Sequence, residues 1–352
     1  MEVGIGGEFD CTNIVRQPVV TGITALGLDH TSLLGGDIQD IAWHKAGIMK
    51  PGVACYVDPQ QSYPATLEVI KRRGVERGAL YTALPAPLES HGWDAEGGPP
   101  RLGLAGEVQS HNAALALALA QHFLSVRAGE QPPQPELQPG APLPRLPGLS
   151  HNLPGLSNLA AGLAATVWPG RSHLVTRPGL QLYLDGAHTE ESVAACCQWF
   201  SAASSSSGAQ AGVFRLLLFN ATGDRDPGLL LAKLAGLQLD WVVFCTNLSR
   251  HQDSADQQNF TTNQQMSLAR CEEHRAAWAA LDTGVPCTVI PCINTALEWS
   301  TAGREPALNI GRNSGAAPGP PPPALAAAPL IQILVTGSLH LVGGVLGCIR
   351  YR

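Results

Sequence analysis

The chain has 352 residues, of which 45% are hydrophobic and 14% are charged, and its formal net charge is −6. This composition is typical of a globular protein with room for two domains. Because the charge is negative and no run of more than three Lys and Arg residues occurs, we expect small-molecule partners and no nucleic acid. The nine cysteines include no Cys-x-x-Cys pair, so they fit neither a disulfide framework nor a zinc site and favour a reducing compartment.

Apolar runs rich in β-branched residues alternate with helical patterns along the first 127 residues. Strands are predicted near 19–26, 53–57 and 79–84, and helices near 37–49, 65–73 and 108–126. This alternation is typical of a parallel sheet covered by helices, and it predicts an α/β fold.

Residues 128–167 differ from their surroundings, being rich in Pro, Gly and Leu, with Leu-Pro-Gly-Leu-Ser repeated at 146–150 and 153–157. This composition predicts a linker or an insertion rather than a packed element. We therefore divide the chain into a first domain at 1–127, this linker at 128–167 and a second domain at 168–352.

The second domain repeats the alternation of strands and helices. Its predicted strands are 180–184, 214–219, 241–245, 287–290 and 331–335. One helix has a clear start, because Asp226 can cap it while Pro227 suits the first helical position. The proline-rich stretch 316–328 is predicted to be a solvated loop. The apolar tail 328–349 contains proline, glutamine and histidine, so we interpret it as a strand, a turn and a helix rather than a membrane span.

A phosphate-binding loop of the GxxxxGK[ST] type does not occur in the sequence. The residues before the four lysines are His44, Met49, Ile70 and Ala232, so no Gly-Lys pair exists. The chain also opens with a turn-rich segment, 2–10, which in a parallel α/β protein normally follows a completed strand. We therefore expect that sequence upstream of Met1 is missing.

Candidate ligands for a hard cation lie near the start of the chain. His30 follows a predicted buried strand, at the carboxyl edge where open α/β sheets bind ligands. Glu2 could bind Mg²⁺, because this ion is commonly held by one or two protein groups together with phosphate oxygens and water. The structural alternatives are a hydrogen-bonded loop histidine and a solvated terminal glutamate.

Lys45 falls on the apolar face of the helix predicted at 37–49. Ile38, Ile41, Ala42 and Lys45 have the spacing i, i+3, i+4 and i+7. Burial disfavours an ammonium, so we expect a lowered pKa and an amine able to act as a nucleophile or to form a carbamate. The alternative is a lysine whose stem packs while its head reaches water.

A second group of candidates lies at the start of the second domain. Asp185 and His188 follow a predicted strand and precede a helix that Thr189 can cap, a place that suits a nucleotide ribose or phosphate. Arg171 follows a Pro-Gly turn and could bind a phosphate through two hydrogen bonds. A structural turn aspartate and a surface arginine are the alternatives.

Six motifs occur in order along the chain, namely EVGIGGEFDCTN at 2–13, LDHTSLLG at 28–35, IAWHKAGI at 41–48, WPGR at 168–171, DGAH at 185–188 and NATGDR at 220–225. Together they resemble the eukaryotic folylpolyglutamate synthases of the Mur ligase-like superfamily, and the resemblance spans nearly the whole chain. It implies a P-loop-type parallel sheet domain that is truncated at its start, followed by a C-terminal Rossmann-like glutamate-ligase domain.

The resemblance implies an ATP-dependent ligase that joins the amine of L-glutamate to the γ-carboxylate of a reduced folate through an acyl phosphate. Mg²⁺ is the implied metal, with a monovalent cation such as K⁺ as a further candidate. Phosphoryl transfer of this kind depends on positioning and electrostatics. We expect a monomer without a membrane span, located in the cytoplasm, in mitochondria or in both.

The resemblance also implies residue roles. Glu2 and His30 would bind Mg²⁺, and Lys45 would be carbamylated. Phe9, Asp10 and Cys11 would line the pterin side of the substrate pocket. ATP would be contacted by Asn112, Arg171 and Asp185, and His188 would lie on the phosphate or glutamate side of an interdomain cleft.

The phosphate loop of the family and its following Ser/Thr metal ligand have no counterpart in the chain. We therefore expect that the chain alone is poorly soluble or does not ligate glutamate. Two alternatives stay open, a non-catalytic product of the same gene and a sister enzyme, either a dihydrofolate synthase or a cell-wall Mur ligase.

Overall fold

The computed structural model describes residues 1–59, 62–93, 99–136, 141–149, 155–206, 212–222, 226–249, 264–308 and 319–351. It shows an α/β protein with parallel sheets, as the sequence predicts. The chain forms two compact units. The first unit comprises Met1–Gly103 and Glu107–Val167, and the second comprises Leu104–Gly106 and Trp168–Arg352.

The first unit contains a parallel sheet of three short strands. These are β1 (Thr21–Ile23), β2 (Cys55–Val57) and β3 (Thr82–Ala83), in the order β1-β2-β3. Thr21 pairs with Cys55, which pairs in turn with Thr82. All three strands lie within predicted strands but are shorter.

Five helices accompany this sheet, namely α1 (Thr31–Leu34), α2 (Ile38–Ala46), α3 (Thr66–Glu76), α4 (Val108–Ala128) and α5 (Leu156–Ala165). Cys55 and Val57 of β2 belong to the apolar cluster formed with α2 and α3, whereas Tyr56 belongs to the cluster formed with α4. This division follows from the alternation of side chains along a strand. The sheet is therefore buried on both faces, which explains its nearly continuous apolar sequence.

The Pro-rich segment is packed more closely than its composition suggests. Leu84 pairs with Arg145 in a parallel bridge, through Leu84 N to Pro144 O (2.8 Å) and Leu146 N to Leu84 O (2.9 Å). Leu146 is 6% exposed, and Leu156, the first residue of α5, is 4% exposed. The expectation that 128–167 lacks a packed element is wrong for this part, because its leucines bury apolar area against the sheet and α4.

The second unit contains a six-stranded sheet. Its strands are β4 (His173–Arg177), β5 (Leu180–Leu184), β6 (Val213–Phe219), β7 (Trp241–Cys245), β8 (Cys287–Ile290) and β9 (Leu330–Thr336). Their order is β4-β5-β9-β6-β7-β8, and all neighbouring pairs are parallel except β4 with β5. The five parallel strands agree with the predicted ones. The edge strand β4 was not predicted, because its side chains are half exposed and its pairing depends on the turn at Gly179, which has φ 67°.

Helices cover both faces of this sheet. One apolar cluster includes residues of α6 (Glu190–Ser206), α7 (Pro227–Leu234) and α8 (Gln264–Ala280). The other includes residues of α9 (Ile293–Thr301), α10 (Pro323–Ala327) and α11 (Leu339–Cys348). The predicted start of α7 is confirmed, since the Asp226 carboxylate accepts from Gly228 N and Pro227 opens the helix.

The end of the chain folds as a strand, a turn and a helix, as predicted. Ser338 caps α11 by accepting a hydrogen bond from His340 N. Within the described part of the chain, no helix combines the length and the apolar character needed to cross a membrane. The prediction of a solvated loop at 316–328 is wrong for α10, because Leu325 is fully buried in the core.

Candidate functional site

The loop that follows β1 presents an aspartate and a histidine at the carboxyl edge of the first sheet. His30 adopts a left-handed conformation with φ 52°, and its backbone N–H donates to Asp29 Oδ1 (2.9 Å). Its ring Nε2 lies 3.5 Å from Asp29 Oδ2, and its side chain is 39% exposed. The carboxylate can therefore orient the partly exposed imidazole, an arrangement common for metal-binding histidines.

Lys45 lies in the last turn of α2, with a half-buried side chain. Burial lowers the pKa of its amine, and the charge of Asp29 opposes this shift. No hydrogen bond to Lys45 Nζ is present among the described residues. The charge of Asp29 thus acts on Lys45, and a functional role of this amine stays a prediction.

Glu2 is exposed, and no hydrogen bond or ion pair links it to His30 in the described structure. The described residues also contain no group of three or more His, Cys, Asp or Glu side chains that could hold a metal. Mg²⁺ does not require such a group, because phosphate oxygens and water commonly complete its coordination. The assignment of Glu2 and His30 as metal ligands stays a prediction.

The segment expected to contact the pterin forms a compact turn. Asp10 caps a short 3-10 helix, Cys11–Ile14, and its carboxylate accepts from Gly4 N and Ile5 N (both 3.1 Å) and from Thr12 N (2.9 Å). These bonds, with that from the Thr12 hydroxyl as the largest cause, lower the pKa of Asp10 to about 2. The structure therefore gives Asp10 a role in shaping the turn. Substrate contact by Asp10 stays a prediction.

The other two residues of this group are accessible. Phe9 is 81% exposed, and its ring centroid lies 6.5 Å from that of Trp43 and 5.7 Å from that of His44. Cys11 is exposed and carries a free thiol. The rings of Phe9, Trp43 and His44 form an aromatic ledge beside the end of α2, of the kind on which a planar heterocycle can stack.

Asn112 lies on α4, is exposed, and donates to Gln109 Oε1 (3.0 Å). Its neighbour His111 lies close to Asp58, with Nδ1 3.7 Å from Oδ2. This pair was not identified in the sequence, although the position of Asp58 directly after a predicted strand was a usable signal. His111 and Asp58 lie near a cavity of about 220 Å³, which His111 lines together with Pro85.

The second unit brings three predicted site residues together at the carboxyl end of β5. Asp185 accepts hydrogen bonds from Ser172 N (2.7 Å) and Ala187 N (2.9 Å). His188 Nδ1 lies 2.7 Å from Gly186 O. A Cβ on Gly186 would lie 2.5 Å from Arg171 Nη1, so the guanidinium packs directly against this backbone.

The electrostatics of this cluster are dominated by burial. Burial raises the pKa of Asp185, while the Ser172 N–H and the charge of Arg171 oppose this shift. The predicted cap at Thr189 is present, since its hydroxyl accepts from Ser192 N (3.3 Å). The carboxylate and the imidazole thus lie on the turn that leads into α6, with the Arg171 guanidinium packed against the same turn, and the helix dipole at the N-terminus of α6 favours an anion.

This cluster stands at a topological switch point of the sheet. The helix after β5, α6, covers one face, whereas the helix after the adjacent β9, α11, covers the other. Gly337 follows β9 with φ 97°, and its N–H donates to Ala187 O (2.9 Å). Ligands of doubly wound sheets bind in the crevice at such a point. Recognising it requires the strand order, which the sequence does not display.

The motif at 220–225 is described only in part. Asn220 is 4% exposed, and its side-chain amide donates to Cys245 O, which links the ends of β6 and β7. Residues 223–225, which include Asp224 and Arg225 of the motif, lie outside the described residues.

Sequence reasoning also missed an ion-pair network around Glu8. Glu8 Oε2 lies 2.6 Å from Arg73 Nη2 and 2.8 Å from Arg77 Nη2. Arg73 and Arg77 are four residues apart at the end of α3, so their side chains lie on the same side of the helix and can share one partner. That partner lies more than sixty positions upstream, and nothing in the local sequence identifies it.

Comparisons with known proteins agree on one family. No family model matches the chain. The human mitochondrial folylpolyglutamate synthase is 40% identical over 401 residues, covering 98% of this chain and 65% of the relative. A putative folylpolyglutamate synthase of Caenorhabditis elegans is 34% identical, covering 98% of this chain and 62% of the relative. The chain thus spans slightly less than two thirds of the length of these relatives.

Solved structures show the same fold. Folylpolyglutamate synthase of Mycobacterium tuberculosis, complexed with ADP and AMPPCP, is 22% identical with a TM-score of 0.65, covering 100% of this chain and 68% of that one. FolC of E. coli, in complex with DHPP and ADP, is 21% identical with a TM-score of 0.61, covering 99% of this chain and 65% of that one. A bifunctional folylpolyglutamate synthase/dihydrofolate synthase of Yersinia pestis, complexed with AMPPNP and Mn ion, is 20% identical with a TM-score of 0.60, covering 99% and 65%. With the six ordered motifs and the shared α/β architecture, these comparisons show that the chain is similar to folylpolyglutamate synthases in sequence and in fold.

Proposed function

We propose that the chain belongs to an ATP-dependent ligase that adds L-glutamate to the γ-carboxylate of a reduced folate. The observation that carries the proposal is the cluster of Arg171, Asp185 and His188 at the switch point between β5 and β9. This cluster offers a cation, hydrogen-bonding groups and a helix N-terminus to a phosphorylated ligand. The names of the relatives, and the nucleotides bound in the solved neighbours, support the same reading.

The residues of the second unit divide the work of binding a nucleotide. Arg171 supplies the positive charge that a phosphate requires. Asp185 holds the Arg171 turn, because it accepts the backbone N–H of Ser172. A carboxylate has about four acceptor positions, so Asp185 retains capacity for a ribose hydroxyl. His188, held by the carbonyl of Gly186, is the candidate contact to a phosphate or to the incoming glutamate.

The residues of the first unit fit a divalent cation. Asp29 orients the ring of His30, and Mg²⁺ commonly needs one or two protein ligands beside phosphate and water. We propose His30 and Glu2 as these ligands. When bound, the cation would neutralise charge on the transferring phosphoryl group. Lys45, whose pKa is lowered by burial, can react with carbon dioxide in its neutral form to give a carbamate.

The reaction proceeds in two balanced steps. A γ-carboxylate oxygen of folate attacks the γ-phosphorus of ATP, which forms an acyl phosphate and releases ADP. The glutamate amine then attacks the acyl carbon, phosphate leaves, and the nitrogen loses a proton to give the amide. Positioning of the reactants provides most of the acceleration in chemistry of this kind. We propose mitochondria as the location, since mammalian relatives are named mitochondrial, with the cytoplasm as the alternative.

The sequence sets a limit on what these 352 residues do alone. They contain no Gly-Lys pair, so a phosphate loop of the GxxxxGK[ST] type is not among them. We therefore propose that the chain binds nucleotide and folate, and that it ligates glutamate slowly or not at all without a phosphate loop supplied by other polypeptide.

Calorimetric titration of the full chain with ADP and with tetrahydrofolate tests the binding proposal. We expect binding of both ligands, and an ADP affinity at least tenfold lower in Arg171→Ala, because a charge-assisted hydrogen bond to phosphate is lost. Arg127→Ala is the matched control, since Arg127 lies over the ring of Phe123 on α4. Failure to bind either ligand would refute the proposal. Ligation assays with tetrahydrofolate and with dihydropteroate identify the folate substrate, and rapid folate-dependent ADP release would contradict the predicted limit.

A further inference from the structure

We propose that Glu8 is a positioning residue that holds the loop 4–13 against the end of α2 and thereby fixes the aromatic ledge of Phe9, Trp43 and His44 for the substrate. No motif suggested this role. The inference rests on the proposed function in one respect, namely that the ledge receives the pterin ring of a folate.

The clamp consists of one carboxylate and two guanidinium groups. Glu8 Oε2 accepts from Arg73 Nη2 (2.6 Å) and from Arg77 Nη2 (2.8 Å). Arg77 Nη2 also donates to Gly47 O (2.6 Å), and the Arg73 guanidinium lies 4.2 Å from the ring centre of Trp43. The side chains of Glu8 and Arg73 are 15% and 13% exposed, so water screens this pair weakly.

Further hydrogen bonds hold the loop 4–13 against the end of α2. Glu8 N donates to His44 O (2.8 Å), and Asn13 Nδ2 donates to Glu8 O (2.9 Å) and to Gly47 O (3.2 Å). The approach to α2 is so close that a Cβ on Gly47 would lie 2.6 Å from the Cα of Glu8. Lys50 Nζ secures the far end of the loop by donating to Asn13 Oδ1 (2.7 Å).

The position of Phe9 depends on this clamp. Its ring is 81% exposed and touches the rest of the unit through the rings of Trp43 and His44. Glu8 is the preceding residue and joins the loop to α3 through its side chain. Helix α2 carries Trp43 and His44 and also Lys45, so the clamp holds Phe9 on the helix that carries the amine. Loss of the Glu8 charge would loosen the loop, which would keep only its backbone and Asn13 hydrogen bonds, and would leave two guanidinium groups without their carboxylate.

The test compares Glu8→Gln with the matched control Glu76→Gln in the full chain. Glu76 also pairs with Arg73, at 3.1 Å from Nη1, but it is 48% exposed, and no hydrogen bond or ion pair joins it to the loop among the described residues. Hydrogen exchange reports on the amides of residues 4–13, and calorimetry reports tetrahydrofolate affinity. We expect Glu8→Gln to raise exchange and weaken folate binding about tenfold each, because charge-assisted hydrogen bonds are lost, whereas Glu76→Gln changes neither. Glu8→Asp, which keeps the charge, should restore part of both.

Unchanged exchange in Glu8→Gln would overturn the proposal, as would an equal loss of affinity in the two glutamine variants. Should Glu8→Gln fail to fold, Arg77→Gln removes one of the two guanidinium contacts and permits the same comparison. A wild-type chain that binds no folate would refute the proposed function. The exchange data would in that case still decide whether Glu8 holds the loop.

Discussion

His274 makes the stability of the second unit sensitive to pH. This residue of α8 is fully buried, and its ring packs edge-on against Phe219 (5.5 Å) and at a tilt against Phe244 (5.9 Å). Burial, followed by the charge of Arg270, lowers its pKa from 6.5 to about 4. The difference of about 2.5 pH units corresponds to about 3 kcal/mol between the two protonation states.

The sign follows from the depressed pKa. Above pH 6.5 the imidazole is neutral in both the folded and the unfolded chain, so its contribution to stability is complete. As the pH falls below 6.5, the unfolded chain binds a proton at His274 that the folded chain does not bind. The free energy of unfolding therefore declines until about pH 4. At pH 5 the expected loss is about 2 kcal/mol, from about 1.5 pH units at 1.36 kcal/mol each.

Urea unfolding of wild type and His274→Phe at pH 7.5 and pH 5.0 measures this loss, because the titration of every other group is common to both chains. Phenylalanine fills a similar volume and cannot be protonated. We expect the wild type to lose about 2 kcal/mol more than the variant between the two pH values. His340→Phe, at an exposed position of α11, serves as control and should show no such difference. Equal pH dependence in wild type and His274→Phe would refute the reasoning.

Three further substitutions test other parts of the structure by urea unfolding at neutral pH. Tyr56→Phe removes the hydroxyl that lies 2.9 Å from His122 Nδ1, and we expect a loss of about 1 to 2 kcal/mol; an unchanged midpoint would contradict this buried contact. Gly47→Ala places a methyl group 2.6 Å from the Cα of Glu8 and should lower the free energy of unfolding by about 1 to 3 kcal/mol. An unchanged free energy would contradict the close approach of the loop to Gly47. Asp185→Ala leaves two backbone N–H groups without their acceptor, for an expected loss of about 2 to 4 kcal/mol, whereas a loss below 0.5 kcal/mol would mean that water replaces the carboxylate.

Much of the architecture follows from local sequence. Five strands of the second sheet coincide with apolar runs, and the Asp226-Pro227 start of α7 follows from the chemistry of a capping side chain and a proline at the first helical position. The errors fall where tertiary contacts outweigh local composition. Leu325 of α10 and Leu156 of α5 lie in Pro- and Gly-rich sequence, yet the core buries them because neighbouring elements provide an apolar surface.

The candidate site divides in the same way. The sequence by itself showed the resemblance to folylpolyglutamate synthases, because six motifs occur in a fixed order as local patterns, and it identified Lys45, Arg171, Asp185 and His188 as candidates. Only the tertiary structure decided that the last three meet at a switch point of the sheet, since strand order arises from pairing between distant segments. It alone joined Glu8 to Arg73, because an ion pair between residues far apart in the chain forms only after α2 and α3 have packed.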